Sequence, residues 1–533
     1  MNQRRVDSGT SANKENEIHL FEKGKKGVLR LVFGRTGIVI LLLLAQILLL
    51  FAVFQFIKSL LPYVFGTFVI FALVMVIRVI NSNHNTAVKM SWIVLIMVLP
   101  GFGGFLYIFI KQDIGHRAIK KRYKLVFEES EKEFIRHDDL MNRLETRNKG
   151  LFNLASYTEK AGGFPLYENS PTKYFPIGEE AFEEMLIQLE KAEKFIFMEY
   201  FIIDEGYMWG RILKVLSDKA KAGVEVRLLY DGTCEFSLLP HNYPKLLKDL
   251  GISCKMFAPL RPFLSTHYNY RDHRKITVVD GRVAFTGGIN LADEYINRRE
   301  VYGHWKDTAI MVEGIAVNSF TLMFLQMWNI NEDKRTYMTD KYQAHLPDEI
   351  TKGYVLPFGD CPLDNDKVGQ MVYMDILNRA ENYVHIMTPY LIPDGEMLTS
   401  MEFAAKRGID VKILLPHIPD KNLVFAQTRS YYKSLIEAGV KIYEYTPGFV
   451  HAKSFVSDDK KAVVGTINID YRSLYHHFEC GVYIEGVSTV LDIENDFNET
   501  LKKSQNVTLE DIKKHTFISK LMGKILKIFA PLM

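Results

Sequence analysis

The chain has 533 residues, 48 % of them hydrophobic, and its 66 Lys+Arg nearly cancel its 63 Asp+Glu. That length allows two or three domains with cores of their own, and the charge balance argues neither for nor against a nucleic-acid partner. The four cysteines, Cys234, Cys254, Cys361 and Cys480, lie far apart without a CxxC pair, which supports neither a zinc site nor a disulfide framework and fits a reducing compartment.

Residues 1–32 are polar, turn basic at Lys23, Lys25, Lys26 and Arg30, and read as a tail. Residues 33–110 hold three runs without charge, Thr36 to Ile57, Ser59 to Ile77 and Met90 to Ile110, set between Lys58, Arg78, Lys89 and Lys111. About 20 apolar residues rising about 1.5 Å each span the roughly 30 Å hydrocarbon core of a bilayer, so residues 33–110 are expected to be an α-helical transmembrane region. Buried helices of a soluble body would show a polar stripe, and the first run lacks the small-residue cleavage site of a signal peptide. Basic residues precede Thr36 and follow Ile110 (Lys111, Arg117, Lys120, Lys121, Arg122, Lys124). Both flanks therefore favour the cytoplasmic side, which requires an even number of crossings. Pro100-Gly101-Phe102-Gly103-Gly104 in the third run suits a broken or re-entrant segment. The expectation is two full crossings plus one re-entrant or interfacial piece. Residues 111–160 are charged and helix-prone, and read as a helical connector.

Beyond the connector the chain repeats itself. Phe195 to Asp204 matches Val384 to Asp394, each ending in Tyr, an apolar residue, Ile, any residue and Asp. Ala222 to Tyr230 matches Arg407 to Leu415, a β-branched strand after a Gly-stopped helix. His273-Arg274-Lys275 with Asp280 matches His451-Ala452-Lys453 with Asp458, and Gly287-Gly288-Ile289-Asn290 matches Gly465-Thr466-Ile467-Asn468. Asp307 to Gly314 matches Glu479 to Gly486, and the separation between partners shrinks steadily along the chain, as loop-length differences between two copies would make it. Strands and helices alternate in each copy, which predicts an α/β fold of two repeated domains, residues 161–340 and 341–510, sharing one active site. Residues 511–533 form a basic amphipathic tail: Lys513, Lys514, Lys520, Lys524 and Lys527 interleave with Phe517, Ile518, Leu521, Ile525, Ile528 and Phe529 at helical spacing. Such a helix suits the surface of anionic lipid, an ordinary packing helix being the alternative.

The chemistry lies in the matched pairs. Side chains two apart on a strand share a face, so His273 and Lys275 point the same way, as do His451 and Lys453. Asp280-Gly281 is a hairpin signal, and Asp280, at an odd separation from His273, falls on the other face as an orienting residue; Asp458 has the same parity. A phosphodiester gathers negative charge in its transition state, which two lysines with Asn290 and Asn468 nearby would stabilise. One neutral imidazole can attack phosphorus while the other, protonated, supplies the leaving alcohol with a proton. Asp307 and Glu479 are candidates to orient the two imidazoles. The sequence shows no metal cluster, and this chemistry needs neither metal nor cofactor.

At these residues the chain resembles the phospholipase D superfamily, whose signature is His-X-Lys-X4-Asp followed by Gly-Gly/Thr-X-Asn. Both copies match it. Within the superfamily the chain is similar to the cardiolipin synthases through Ser91-Trp92, Leu99-Pro100-Gly101, Asn269 to Ile276, Gly287 to Tyr295, Trp305-Lys306-Asp307 and Asn468 to Ser473. The resemblance implies two phospholipase D-like repeats and the condensation of two phosphatidylglycerol molecules into cardiolipin with release of glycerol. It further implies a multi-pass protein of the bacterial cell membrane that works on anionic lipid, its catalytic body cytoplasmic. Another phospholipase D-type phosphatidyltransferase or hydrolase would share every one of these residues and differ in acceptor. A nuclease is disfavoured by the membrane runs and by the lack of a basic–aromatic patch. A scaffold with a decayed site is disfavoured by two intact His–Lys pairs.

Overall fold

The computed structural model describes residues 35–532 apart from 57–60, 83–84, 112–113, 135, 241, 260–269, 348–350, 365 and 515–516. The polar tail expected over residues 1–32 lies outside the described residues. Helices Arg35–Phe56 and Leu61–Ile80 cover the first two apolar runs. The third is two helices, Thr86–Val98 and Pro100–Lys111. Pro100 lacks an N–H and disfavours the α region at the residue before it; Leu99 accordingly sits at φ −129°, ψ 74° and ends the first helix. The two halves then nest closely, because a Cβ on Gly103 would come within 2.8 Å of the Ile96 backbone, and the second half also lies close on helix Leu61–Ile80, where a Cβ on Gly104 would enter the Phe71 ring. Met75, Val79, Trp92, Ile96 and Tyr107 form a small core between these helices, and Phe65, Ile70, Leu73, Val74, Met97, Val98, Phe105 and Phe109 face outward. Among the described residues, Tyr63–Ile80 is the stretch long and apolar enough to cross a membrane, while Leu41–Ala52, Thr86–Val98 and Pro100–Ile110 are shorter apolar segments.

The body is built on two mixed sheets with the same plan. In one, the strand order is Thr172–Phe175, Ala309–Glu313, Val283–Gly287, Lys275–Val279, Phe195–Tyr200, Glu225–Asp231, Ser253–Phe257. In the other, Tyr354–Asp360, His477–Glu485, Lys461–Gly465, Ser454–Ser457, Tyr383–Met387, Asp410–Pro416 and Lys441–Tyr445 follow in the corresponding order. Each sheet has a parallel half reached through helical crossovers and an antiparallel half made by the His–Lys hairpin and its neighbour, so the sequence repeat is a strand-for-strand repeat of topology. The second sheet also takes in Tyr167–Glu168 at one edge and Ser504–Val507 at the other.

Helix Val317–Asn329 is buried on every face, and its polar side chains find partners there: Ser319 pairs with the Tyr167 hydroxyl (2.9 Å), Gln326 donates to Ser130 (2.8 Å) and Asn329 to the Thr336 carbonyl (2.8 Å). It packs into the continuous core shared by the two sheets, where Phe324 stacks on Phe197 at 4.6 Å. That core holds the sheets in fixed relation, which is what a site made from both requires. The tail helix Phe517–Phe529 docks on helix Asn422–Glu437: Lys527 Nζ lies 4.0 Å over the Tyr431 ring, and the Ile528 carbonyl accepts from Ser91 of the apolar region. Leu521, Met522, Ile525 and Ile528 stay exposed, so the helix has a docked face and an outward apolar one.

Candidate active site

Each His–Lys pair stands at the start of a hairpin whose turn is fixed by an aspartate. Asp280 and Gly281 both have positive φ (55° and 65°), as do Asp458 and Asp459 (58° and 54°), at the head of loops that join Val279 to its partner Val283 and Ser457 to its partner Lys461. The Asp280 carboxylate accepts from the backbone N–H groups of Glu193, Lys194 and Phe195 at 2.8 Å each. Asp458 does the same to Glu381, Asn382 and Tyr383 at 2.8–3.0 Å. Both aspartates thus clamp the hairpin to the entrance of the neighbouring strand in its sheet, and their oxygens are engaged there and not at the imidazoles.

The imidazoles are joined across the two sheets. Arg271–Asp272 runs parallel to His477–Phe478, and Gly448–Val450 runs parallel to His304–Lys306. His273 N–H donates to the Phe478 carbonyl (2.9 Å) and His451 N–H to the Lys306 carbonyl (2.7 Å). These paired ladders deliver each carboxylate to the other copy's histidine. Nδ1 of His451 lies 2.7 Å from Asp307, and Nδ1 of His273 lies 2.9 Å from Glu479. Arg274, facing away from its neighbours, donates from Nε to the Glu479 carbonyl (3.1 Å) and ties the same two strands together. A side chain at position 288 would collide with the Asp307 carboxylate, so glycine stands there; its counterpart Thr466 donates its hydroxyl to Glu479.

Lys275 Nζ donates to the His273 carbonyl at 2.7 Å, and Lys453 Nζ lies 2.9 and 3.0 Å from the ring nitrogens of His451. Asn290 is committed within its own half: it accepts from Ile202 N–H (3.0 Å) and donates to the Tyr295 hydroxyl (2.8 Å). Asn468, 5 % exposed, keeps a side-chain oxygen without a hydrogen-bond partner. Sequence reading expected the asparagines as a matched pair, and the structure treats them differently.

Burial sets the protonation. It pushes His273 well below its ordinary value, with Lys275 adding to the shift, and it brings His451 down to about 4 against the pull of Asp307. Burial also lowers Lys275 to about 8 and Lys453 to about 7. The carboxylates diverge. Burial would raise Asp307, yet His451 and Lys453 outweigh it and hold Asp307 below the usual range. Glu479 is pushed well up by burial, which Lys275 and Thr466 only partly offset. One imidazole therefore has an anion behind it and the other a carboxyl that favours its proton.

The surroundings of the two imidazoles also differ. Tyr295, Trp305 and Phe449 place ring centroids 5.4, 5.3 and 5.9 Å from that of His451. His273 has Phe201 at 4.9 Å and a third imidazole, His477, at 5.3 Å. The sequence reading missed His477, although the repeat that matches Asp307 to Glu479 also sets Trp305 against His477. With His273 and Glu479 it makes the cluster of potential metal ligands found among the described residues.

The family described as "Cardiolipin synthase, PLD-like domain" matches residues 185–328 and 373–501, and "Phospholipase_D-nuclease N-terminal" matches residues 68–112. A cardiolipin synthase of Alkalihalophilus pseudofirmus is 33 % identical over 464 residues, covering 85 % of this chain and 90 % of that protein. Cardiolipin synthase 2 of Bacillus anthracis is 31 % identical over 453 residues, covering 85 % and 88 %. An uncharacterised protein of Streptococcus mutans is 51 % identical over 461 residues, covering 86 % and 99 %. Among solved structures, the phosphatidylserine synthase of Haemophilus influenzae superposes with a TM-score of 0.54 at 14 % identity, over 72 % of this chain and 98 % of that one, a likeness of fold. The fold is phospholipase D-like, and the chemistry belongs to the phosphatidyltransferases of that superfamily. The chain belongs to the cardiolipin synthase family.

Proposed function

We propose that the chain joins two phosphatidylglycerol molecules into cardiolipin and glycerol, with His273 as nucleophile and the Lys453–His451 pair, backed by Asp307, as acid and base. The observation that carries this reading is the unequal pairing of two buried imidazoles with carboxylates from opposite sheets. His273 has no anionic partner to hold a proton against Lys275, so it stays neutral, as attack requires. With Nδ1–H held by Glu479, Nε2 carries the lone pair that meets phosphorus. The bond from phosphorus to the headgroup glycerol breaks, and its oxygen takes a proton from the Lys453–His451 pair, which titrates as a unit. A phosphatidyl group is left on His273. The second phosphatidylglycerol gives its hydroxyl proton to the same pair, its oxygen attacks phosphorus, and the P–N bond breaks. Lys275 and Lys453 stabilise the charge on the phosphoryl oxygens in both steps. In this reading Asp280 and Asp458 act by fixing the hairpins, and Asn290 by fixing the loop behind its lysine.

The reading extends to the whole chain. The repeats, residues 161–340 and 341–510, share this one site. The connector 111–160 and the tail 511–533 brace them against a membrane region at 33–110 that makes two full crossings and one re-entrant hairpin. Helices Thr86–Val98 and Pro100–Lys111 support the hairpin: 13 and 12 residues at about 1.5 Å each reach only about 20 Å into a core of roughly 30 Å. The membrane is the bacterial plasma membrane and the body faces the cytoplasm, where anionic lipid supplies the substrate; no nucleic acid is needed. The test uses purified protein with phosphatidylglycerol as sole substrate. Cardiolipin and glycerol should appear in equal amounts, and His273→Ala or His451→Ala should abolish both. Phosphatidic acid as the main product would replace this reading with a hydrolase.

A further inference from the structure

His477 has no part in the chemistry above, yet it is held inside it. It stands two residues before Glu479 on strand His477–Glu485, so both side chains leave the same face. The ring is 8 % exposed, and neither of its nitrogens has a hydrogen-bond partner. A buried polar group without a partner is uncommon and points to a ligand that completes it. Its Nδ1 lies 3.5 Å from Glu479 Oε1, and His273 Nδ1 lies 2.9 Å from the same oxygen. The ligand atoms of all three residues lie within 4.8 Å of one another.

We propose that His273, His477 and Glu479 form a binding site for a divalent transition-metal ion of the zinc class, and that an ion there arrests turnover. Two imidazoles and one carboxylate are a three-ligand set typical of zinc sites with an open position, at about 2.0–2.2 Å per ligand. Tetrahedral ligands at that distance stand roughly 3.4 Å apart, which the two N–O separations bracket, leaving the two imidazoles to close in on the ion. Both rings are pushed toward the neutral form by burial, which ligation requires, while burial favours the proton on Glu479, so the ion binds with release of that proton to solvent and more weakly as pH falls. The matched position in the other half is Trp305, which brings no ligand to His451 and Asp307, so the site exists once. Lys275 and Lys453 oppose the ion at His273, and Arg472, Lys275 and Arg271 oppose it at His477, which holds the affinity well short of a structural zinc site.

Arrest follows from the tautomer. A metal on Nδ1 of His273 displaces that proton to Nε2, which then has no lone pair to offer phosphorus. This part rests on His273 being the nucleophile; the binding site does not.

The test is a Co²⁺ titration of the metal-free, full-length chain in detergent, followed by the visible absorption of four-coordinate Co²⁺ and its displacement by Zn²⁺. Wild type should bind about one equivalent. His477→Phe, which keeps a ring without ligands, should lose the absorption and bind Zn²⁺ at least tenfold more weakly. His477→Trp, the residue of the matched position, serves if the first variant does not fold. Equal Co²⁺ spectra in wild type and both variants, or none in wild type, overturn the site. In activity assays the Zn²⁺ concentration for half-inhibition should rise at least tenfold in His477→Phe, with the metal-free rate within about threefold of wild type. Unchanged inhibition with a lost Co²⁺ spectrum overturns the arrest alone. If no cardiolipin forms even without metal, the functional reading fails while the titration still decides the site.

Discussion

Replacing Asp307 by Asn removes one charge and almost no volume. Asp307 is fully buried, 2.7 Å from Nδ1 of His451, and its carboxylate is held in the ionised form by His451 and Lys453. The backbone N–H of Thr308 donates to Oδ1 (2.8 Å), so an asparagine would keep its oxygen there and turn its NH₂ toward the imidazole. A donor then faces the nitrogen whose proton Asp307 accepted, and the wrong tautomer and the loss of the anion act together. Replacing the orienting Asp of a Ser-His-Asp triad by Asn lowers kcat about 10⁴-fold through the wrong tautomer, and here Lys453 still faces the ring, so kcat should fall between about a hundredfold and ten-thousandfold. Glu479→Gln is the internal control. Burial pushes Glu479 well toward its protonated form, so glutamine matches it in charge and shape, and kcat should stay within about tenfold of wild type. Initial rates of glycerol release from phosphatidylglycerol give both numbers, and circular dichroism with a thermal melt checks that each variant folds. Equal losses in the two variants, or a larger loss in Glu479→Gln, would refute the assignment of unequal roles to the two carboxylates.

Lys453→Ala should lower kcat about 10²- to 10³-fold, the loss of about 2.7–4 kcal/mol typical of a removed transition-state donor, as read from steady-state rates. The pH dependence follows from the same lysine. Burial brings Lys453 down to about 7, with Lys275 adding to the shift and Asp307, Glu479 and Asp470 opposing it. The free enzyme therefore loses this ammonium as pH rises through about 7, and kcat/KM should fall above that point. The phosphodiester anion favours the charged form, so the limb in kcat should lie at higher pH; a kcat/KM flat to pH 9 would refute this. At the tail, Asp at both Leu521 and Ile525, which are exposed, should weaken activity on anionic vesicles far more than on detergent-dispersed lipid. Equal losses in the two assays would mean that the outward apolar face is not a lipid contact.

What sequence could show was what repeats locally. The parity of His273 and Lys275, the Asp280-Gly281 turn and the ordered matches between halves are properties of short segments, and they reappear as matched hairpins in two sheets of one strand order. The break in the third apolar run was equally local, because Pro100 acts on its immediate neighbour. The partnerships across the site were not local. That Asp307 meets His451 and Glu479 meets His273 depends on two parallel ladders between segments 144 and 206 residues apart, for which no neighbouring residue gives a signal. The different fates of Asn290 and Asn468 were hidden for the same reason, since Tyr295 is an accident of one half. His477 was within reach: extending the match two residues upstream of the paired acids sets it against Trp305.

The direction of the reaction gives the last prediction. Each turn of the proposed cycle breaks one phosphodiester and makes another, so bond energies change little and the equilibrium follows the concentrations of the alcohols. Glycerol added in large excess should therefore convert cardiolipin to phosphatidylglycerol on the same enzyme, through the same phosphatidyl group on His273. The Lys453–His451 pair must then act as base toward glycerol and as acid toward the departing phosphatidylglycerol, so Asp307→Asn should slow this reverse reaction by about the same factor as the forward one. Water is the competing acceptor. The imidazoles are 6 % and 8 % exposed and the lysines 1 % each, and a site closed to this degree lets little water reach a bound phosphatidyl group unless a headgroup opens it. Cardiolipin incubated with glycerol, and sampled for phosphatidylglycerol and phosphatidic acid, measures both routes at once. Accumulation of phosphatidic acid with no rise in phosphatidylglycerol would mean that water is the natural acceptor, and the case for a synthase would fall with it.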